Sequence, residues 1–182
     1  MDLHPIIVHI PLAFMAIYSL LEKISFIPLF RKSETFFSIK LFLVFVGVIG
    51  AALALSSGEN ALEVNRALVN ESLVEDHEGV AELTYNLYIV ILVIYLTMVI
   101  VRFENIKNYL NTKFNKIPIL LKLISFIEKI GSFFNKNYLI LVVLGLAGLV
   151  LASITGALGG AIVYGTDAKD PIINIVSSYF GY

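Results

Sequence analysis

Three histidines are the side chains in this sequence best suited to binding a metal ion or a haem. His4 and His9 lie five positions apart in the first apolar segment, and His77 lies just before the third such segment. Imidazole is a common ligand for haem iron, zinc and copper. The sequence contains no cysteine, which excludes disulfides, thiolate metal sites and iron–sulfur clusters.

The spacing of His4 and His9 bears on whether both rings can reach one ion. In a regular α-helix, side chains five positions apart point about 140° away from each other and would not share a metal. Pro11 removes a helical hydrogen bond, however, and favours a break nearby. Two arrangements stay open: an irregular segment in which both rings converge, or separate structural roles, with His4 at the helix end and His9 hydrogen-bonded inside a bundle.

An acidic stretch surrounds His77 and includes Glu78 directly after it. A carboxylate near an imidazole can orient the ring, raise its basicity or complete a metal site. We therefore predict a candidate metal site formed by His4, His9, His77 and Glu78. The alternative interpretation is an acidic external loop exposed to solvent.

The elements that must position these residues are membrane-spanning helices. The chain is 58% hydrophobic and only 15% charged, whereas soluble domains are nearer half apolar and a quarter charged. This composition excludes an ordinary cytosolic enzyme, a disordered chain and a nucleic-acid-binding protein. Four apolar segments are long enough to cross a bilayer as helices, at about 5–26, 36–55, 79–101 and 138–164. We predict one all-α membrane domain over residues 1–182, folded as a four-helix bundle.

The basic residues predict the orientation of the bundle. The first connection carries four basic residues, including Lys40 at a span edge where it can snorkel, and the third carries seven of the 13. The positive-inside rule places both connections in the cytoplasm. We therefore predict a multi-pass protein of the plasma membrane with both termini external and all three histidines at the outer end.

Two further segments have the spacing of amphipathic helices. After Pro118, apolar residues recur with helical spacing among lysines, which predicts a helix on the inner membrane surface, or alternatively one packed on another subunit. In the tail, Asp170 can cap a short interfacial helix with Pro171 at its first position. We predict that this tail helix presents one apolar face, formed by Ile172, Ile175, Val176 and Tyr179.

Small residues recur along the second and fourth spans. In the fourth span they repeat every four positions, at Gly148, Ala152, Gly156 and Gly160. Such stripes let helix backbones approach closely, and they would also admit a flat porphyrin. We expect close helix packing, and therefore expect Gly156→Leu to disrupt assembly.

The opening motif His4-Pro5-x-x-Val8-His9-x-Pro11 resembles that of a bacterial and archaeal membrane-protein family, domain of unknown function 2231. The segment Thr155-Gly156-x-x-Gly159-Gly160 and the position of His77 are also similar to this family. The resemblance implies a short four-span membrane protein. Some relatives are joined to cytochrome c or other redox domains, which implies an electron-transfer setting. Many relatives have a histidine where this chain has Ala157, so the resemblance supplies no ligand there.

The leading functional hypothesis is an electron-transfer subunit that holds b-type haem near the outer surface. Helix bundles build haem sites from histidines on facing helices. We choose His9 and His77 as axial ligands, with His4 as a substitute or a neighbour of the site. Arg66 and Lys169 are the few external bases available to the propionates.

Two alternatives remain beside the haem hypothesis. One is a non-haem zinc or copper site formed by the three histidines and a carboxylate. The other is a cofactor-free structural subunit whose polar cluster contacts a partner chain. Expected partners are the lipid bilayer, together with a redox protein or the subunits of a membrane complex, and no nucleic acid.

Overall fold

The computed structural model describes residues 4–65, 70–166 and 170–182. Over these residues the secondary structure is helical, without a strand, which confirms the all-α prediction. The helices are α1 (His4–Ile7), α2 (His9–Ile24), α3 (Pro28–Lys32), α4 (Glu34–Asn65), α5 (Glu71–Arg102), α6 (Glu104–Lys113), α7 (Pro118–Lys136), α8 (Leu139–Tyr164) and α9 (Pro171–Phe180).

Helices α2, α4, α5 and α8 form the predicted four-helix bundle, with each helix antiparallel to its neighbours. Around the bundle α2 packs on α4, α4 on α5, α5 on α8, and α8 on α2. Helices α2 and α5 face each other across the centre, where Tyr18 contacts Tyr88 and Tyr95 edge to face. We call the end where α2 and α5 begin the histidine end, and the end where they finish the basic end.

Three of these helices are long and apolar enough to cross a membrane: Glu34–Gly58, Glu71–Arg102 and Leu139–Tyr164. They correspond to the predicted second, third and fourth spans. Helix α2 has 16 residues, fewer than the roughly 20 that a full crossing uses. A turn at Val8 separates it from α1, as the proline-containing opening sequence led us to expect. Crossing by this first segment stays a prediction.

The helix starts predicted from sequence are present. Asp170 accepts hydrogen bonds from the backbone N–H groups of Ile172 and Ile173 at 2.8 and 3.3 Å, which caps α9. Pro118 occupies the first turn of α7, as Pro171 does in α9. Because proline has no N–H to leave unsatisfied, both positions suit a helix start.

Helix α7 is the amphipathic helix predicted for the third connection, and it packs against α5 of its own chain. Gly131 allows the close crossing, since a Cβ at this position would collide with the backbone at Thr97. On the other side of α7, apolar side chains stay exposed, including Ile119 and Phe126. This exposed apolar face suits contact with lipid.

The stripe of small residues in α8 does not stay on one face. Gly148 lies under the ring of Tyr88, and Gly160 lies against Ile173 of α9. Gly156, however, is exposed, and a Cβ there would meet no atom within 4 Å. A repeat of four residues drifts by about 40° per step around a helix of 3.6 residues per turn. The placement of Gly156 in a helix contact was therefore wrong.

Candidate functional site

A charged side chain lies buried in the bundle interior near the basic end. Glu22 of α2 is only 1% exposed. Its Oε2 accepts hydrogen bonds from Nζ of Lys40 at 2.9 Å and from the hydroxyl of Tyr95 at 2.6 Å. One carboxylate oxygen thus joins α2, α4 and α5. Ionisable groups within membrane helices are costly to bury and are functional candidates for that reason.

Lys40 is the second ionisable member of this cluster. Its Nζ also donates to Oγ of Ser25 at 2.7 Å, and the residue is 6% exposed. We expected this lysine to reach toward the membrane surface, but it turns inward instead. The physical reason is that Glu22 and Ser25, at the end of α2, supply a counter-charge and an acceptor across the helix contact.

Between the ion pair and the histidine end, the bundle interior contains further polar groups. The hydroxyls of Tyr88 and Ser19 are 2.8 Å apart, and Tyr88 also donates to the backbone oxygen of Met15 at 3.2 Å. Closer to the histidine end, the hydroxyls of Thr84 and Thr155 are 3.1 Å apart. The buried face of α5 therefore carries protic side chains over most of the bundle.

Two arginines border the cluster at the basic end. Together with Glu22 and Lys40, Arg31 and Arg102 line one small cavity. The Arg31 guanidinium lies 4.2 Å from the ring centre of Tyr138, which precedes α8. The Arg102 guanidinium lies 5.4 Å from the ring centre of Phe37. Aromatic rings thus adjoin both cations at the basic end of the bundle, with Arg31 on α3 and Arg102 at the end of α5.

At the opposite end, His77 has a defined environment. Its Nδ1 lies 3.1 Å from the backbone oxygen of Thr155, so the ring bridges α5 and α8. The ring also packs against Gly159, where an added Cβ would lie 3.1 Å from Cε1 of the histidine. The small residue therefore makes room for the imidazole.

The other predicted ligands have less defined surroundings than His77. His9 begins α2 at the same end of the bundle and is exposed, as is Glu78. α2 and α5 face each other diagonally, so His9 and His77 belong to opposite corners. In the described residues there is no group of three His, Asp or Glu side chains suited to a metal. The side chain of His4, together with Arg66 and Lys169, falls outside the described part, so the ligand set stays a prediction.

Sequence reasoning missed Glu22 and Tyr95, although a signal for them exists. Glu22 and Lys40 are an acid and a base within two consecutive apolar segments. Such residues usually face the interior of a bundle and pair with each other. On α5, Thr84, Tyr88 and Tyr95 follow one another at helical spacings of four and seven, which also indicates one buried polar face.

Comparison with known proteins identifies the family of the chain. Neither a curated protein nor a solved structure matches the chain. A family described as predicted membrane protein, DUF2231, matches residues 1–169. This range contains all four helices of the bundle, the buried ion pair and the three histidines. The chain therefore belongs to the DUF2231 family of predicted membrane proteins.

Proposed function

We propose that this membrane protein is an electron-transfer subunit that holds b-type haem at the histidine end, where His9 and His77 would bind the iron. The observation that carries the proposal is the contact between Nδ1 of His77 and the backbone oxygen of Thr155. A carbonyl oxygen only accepts hydrogen bonds, so a neutral ring in this contact has its proton on Nδ1. Nε2 is then the nitrogen with a lone pair for iron.

This arrangement is typical of histidines that bind metals, because a carbonyl oxygen that accepts from Nδ1 fixes both the tautomer and the ring orientation. The glycines of α8 supply the second support, since Gly159 adjoins the ring and the surface at Gly156 is open. When bound, the haem would carry one electron at a time between redox partners. The protein would orient its ligands and shield it from water. His4 is the substitute ligand in this proposal.

A zinc or copper ion is the second candidate cofactor, and the same Nδ1 contact favours it. This site would use His4, His9 and His77, with the carboxylate of Glu78. The third candidate is a cofactor-free subunit of a membrane complex. It is favoured by the structural work that His77 already does in joining α5 to α8.

The orientation belongs to the same proposal. We place the protein in the plasma membrane with the basic end in the cytoplasm and both termini outside, because the lysines and arginines concentrate in the first and third connections. His9 and His77 would then lie at the outer surface, where a redox partner could reach them.

The experiment that separates these candidates is a reduced-minus-oxidised visible spectrum of the purified protein, with metal analysis of the same sample. We expect a haem band that is lost in His9→Ala and in His77→Ala but kept in Glu78→Gln. If the protein instead contains zinc or copper and no haem, and Glu78→Gln weakens the binding of that metal, the non-haem metal site is the correct hypothesis. If the protein binds neither haem nor a metal ion, the cofactor-free structural subunit is the correct hypothesis.

A further inference from the structure

We propose that Arg31 and Arg102 form a binding site for the phosphate of an anionic lipid headgroup at the basic end of the bundle. Both side chains line one cavity, between the α2–α3 region, α4 and α5. Its enclosed part measures about 10 Å³, which is room for about one water molecule. The phosphate would therefore sit at the mouth of the cavity, between the two guanidinium groups.

The charges around this cavity are unbalanced. Lys40 is neutralised by Glu22 at 2.9 Å. No carboxylate in the described parts of the chain lies within ion-pair distance of Arg31 or Arg102. Moreover, Nε of Arg102 is buried without a hydrogen-bond partner among the described residues. Like charges near a low-dielectric interior repel each other, so an anion between the arginines would stabilise both.

The chemistry of the two side chains favours phosphate. A guanidinium presents a planar fork of N–H donors that matches two oxygens of one phosphate. Stacking on an aromatic ring uses the face of the guanidinium and leaves its edge for such hydrogen bonds. The guanidinium carbons of Arg31 and Arg102 lie over the rings of Tyr138 and Phe37, at 4.2 and 5.4 Å from the ring centres.

The location favours a lipid over a free ion. Arg102 ends the membrane helix α5, so the site lies at the depth of the lipid headgroups. Beside Arg31, the segment between α2 and α4 exposes large apolar side chains, namely Phe26, Ile27, Leu29 and Phe30 at 54%, 50%, 76% and 39%. These side chains suit contact with acyl chains next to a bound headgroup. The inference is independent of the haem proposal.

The test is native mass spectrometry of the full chain in detergent, titrated with phosphatidylglycerol or with phosphatidylcholine of the same acyl chains. We expect the wild type to bind the first phosphatidylglycerol more tightly. Arg31→Gln and Arg102→Gln should each weaken that binding about tenfold, as the loss of a charge-assisted hydrogen bond predicts. Lys32→Gln is the matched control, since it removes an exposed neighbouring charge from α3.

Two outcomes would overturn the lipid site. An equal loss in Lys32→Gln would mean that general surface charge attracts the lipid. Displacement of phosphatidylglycerol by an excess of inorganic phosphate would assign the arginines to free phosphate. If Arg102→Gln fails to fold, Arg102→Lys replaces it. This variant keeps the charge but not the planar fork, so its binding should still fall several-fold, and unchanged binding would contradict the proposal.

Discussion

At the scale of single residues, the buried carboxylate of Glu22 organises the bundle interior. It receives one hydrogen bond from Lys40 and one from Tyr95, so three helices meet at one side chain. Gly145 of α8 adjoins the Glu22 stem, with room for a Cβ only at ordinary contact distance. Buried ion pairs contribute little relative to apolar packing, but breaking one leaves an uncompensated charge.

Removing only one partner should therefore be costly. We expect Glu22→Ala to destabilise the protein by about 3–5 kcal/mol, because Lys40 would stay buried without a counter-charge. Thermal unfolding in detergent, followed by circular dichroism, measures the effect. The double variant Glu22→Leu with Lys40→Met should be close to the wild type. Glu34→Ala, an exposed acid at the start of α4, is the control, and an equal loss there would refute the argument.

The hydroxyl of Tyr95 has a separate, smaller role. Tyr95→Phe keeps the ring and removes the donor to the Glu22 carboxylate, so we expect a loss of about 1.5–3 kcal/mol. The comparison is Tyr179→Phe, because Tyr179 is 87% exposed. A Tyr95→Phe protein as stable as Tyr179→Phe would show that the 2.6 Å contact has little energetic weight.

At the scale of elements, helix α8 is packed through particular small residues rather than through one continuous stripe. Gly145 and Gly148 face the bundle, whereas Gly160 faces α9. The tail helix α9 is thereby tied to the bundle, and Tyr182 reinforces it by donating to Asp76 of α5 at 2.8 Å. The exposed side of α9 keeps Ile172, Ile175 and Tyr179 for the membrane interface.

The same substitution at two positions of α8 tests this packing. At Gly148 an added Cβ would lie 2.8 Å from Cζ of Tyr88, so we expect Gly148→Ala to cost about 1–3 kcal/mol through overpacking. Gly156→Ala is the matched control, since the surface there is open. Both changes add the same methyl group to the same helix, so the difference between their melting temperatures isolates the packing cost. A larger loss of thermal stability in Gly156→Ala than in Gly148→Ala would indicate that Gly156 packs against a neighbouring helix after all.

At the scale of the whole molecule, charge separates the two ends of the bundle. The basic end holds Arg31, Lys40 and Arg102, and the long connection with α6 and α7 adjoins it. The opposite end holds His9, His77 and the acidic start of α5. This polarity follows from the bundle topology, since α2 and α5 run in one direction and α4 and α8 in the other.

The absolute orientation can be tested with single cysteines, because the chain has none of its own. We expect Asn115→Cys, in the third connection, to resist an impermeant thiol reagent in intact cells and to react after permeabilisation. Asn174→Cys, at an exposed polar position of α9, should react in both conditions. The reverse pattern would place the histidines in the cytoplasm.

The helices of this protein can be predicted from its amino-acid sequence alone. Long apolar segments predict α4, α5 and α8, because a helix satisfies its own backbone groups in lipid. The capping residue Asp170 and the prolines at 118 and 171 predict where α7 and α9 begin, since these are local interactions within one turn. Pro11 also indicated the gap in helical hydrogen bonding near Val8, where α1 ends and the backbone itself stays in the helical region.

Which side chains meet depends instead on how the helices pack. Glu22 and Lys40 are 18 positions apart, and Glu22 and Tyr95 are 73 apart, so no local pattern pairs them. The long helices are apolar on nearly every side, because lipid and protein neighbours are equally nonpolar, so only a few polar side chains, such as Thr84, Tyr88 and Tyr95 on α5, indicate which face turns inward. Helix packing sets the rotation of each helix about its own axis. It turned Lys40 toward Glu22 and Gly156 away from the helix contacts, and it put His9 and His77 at one end of the bundle but on opposite corners.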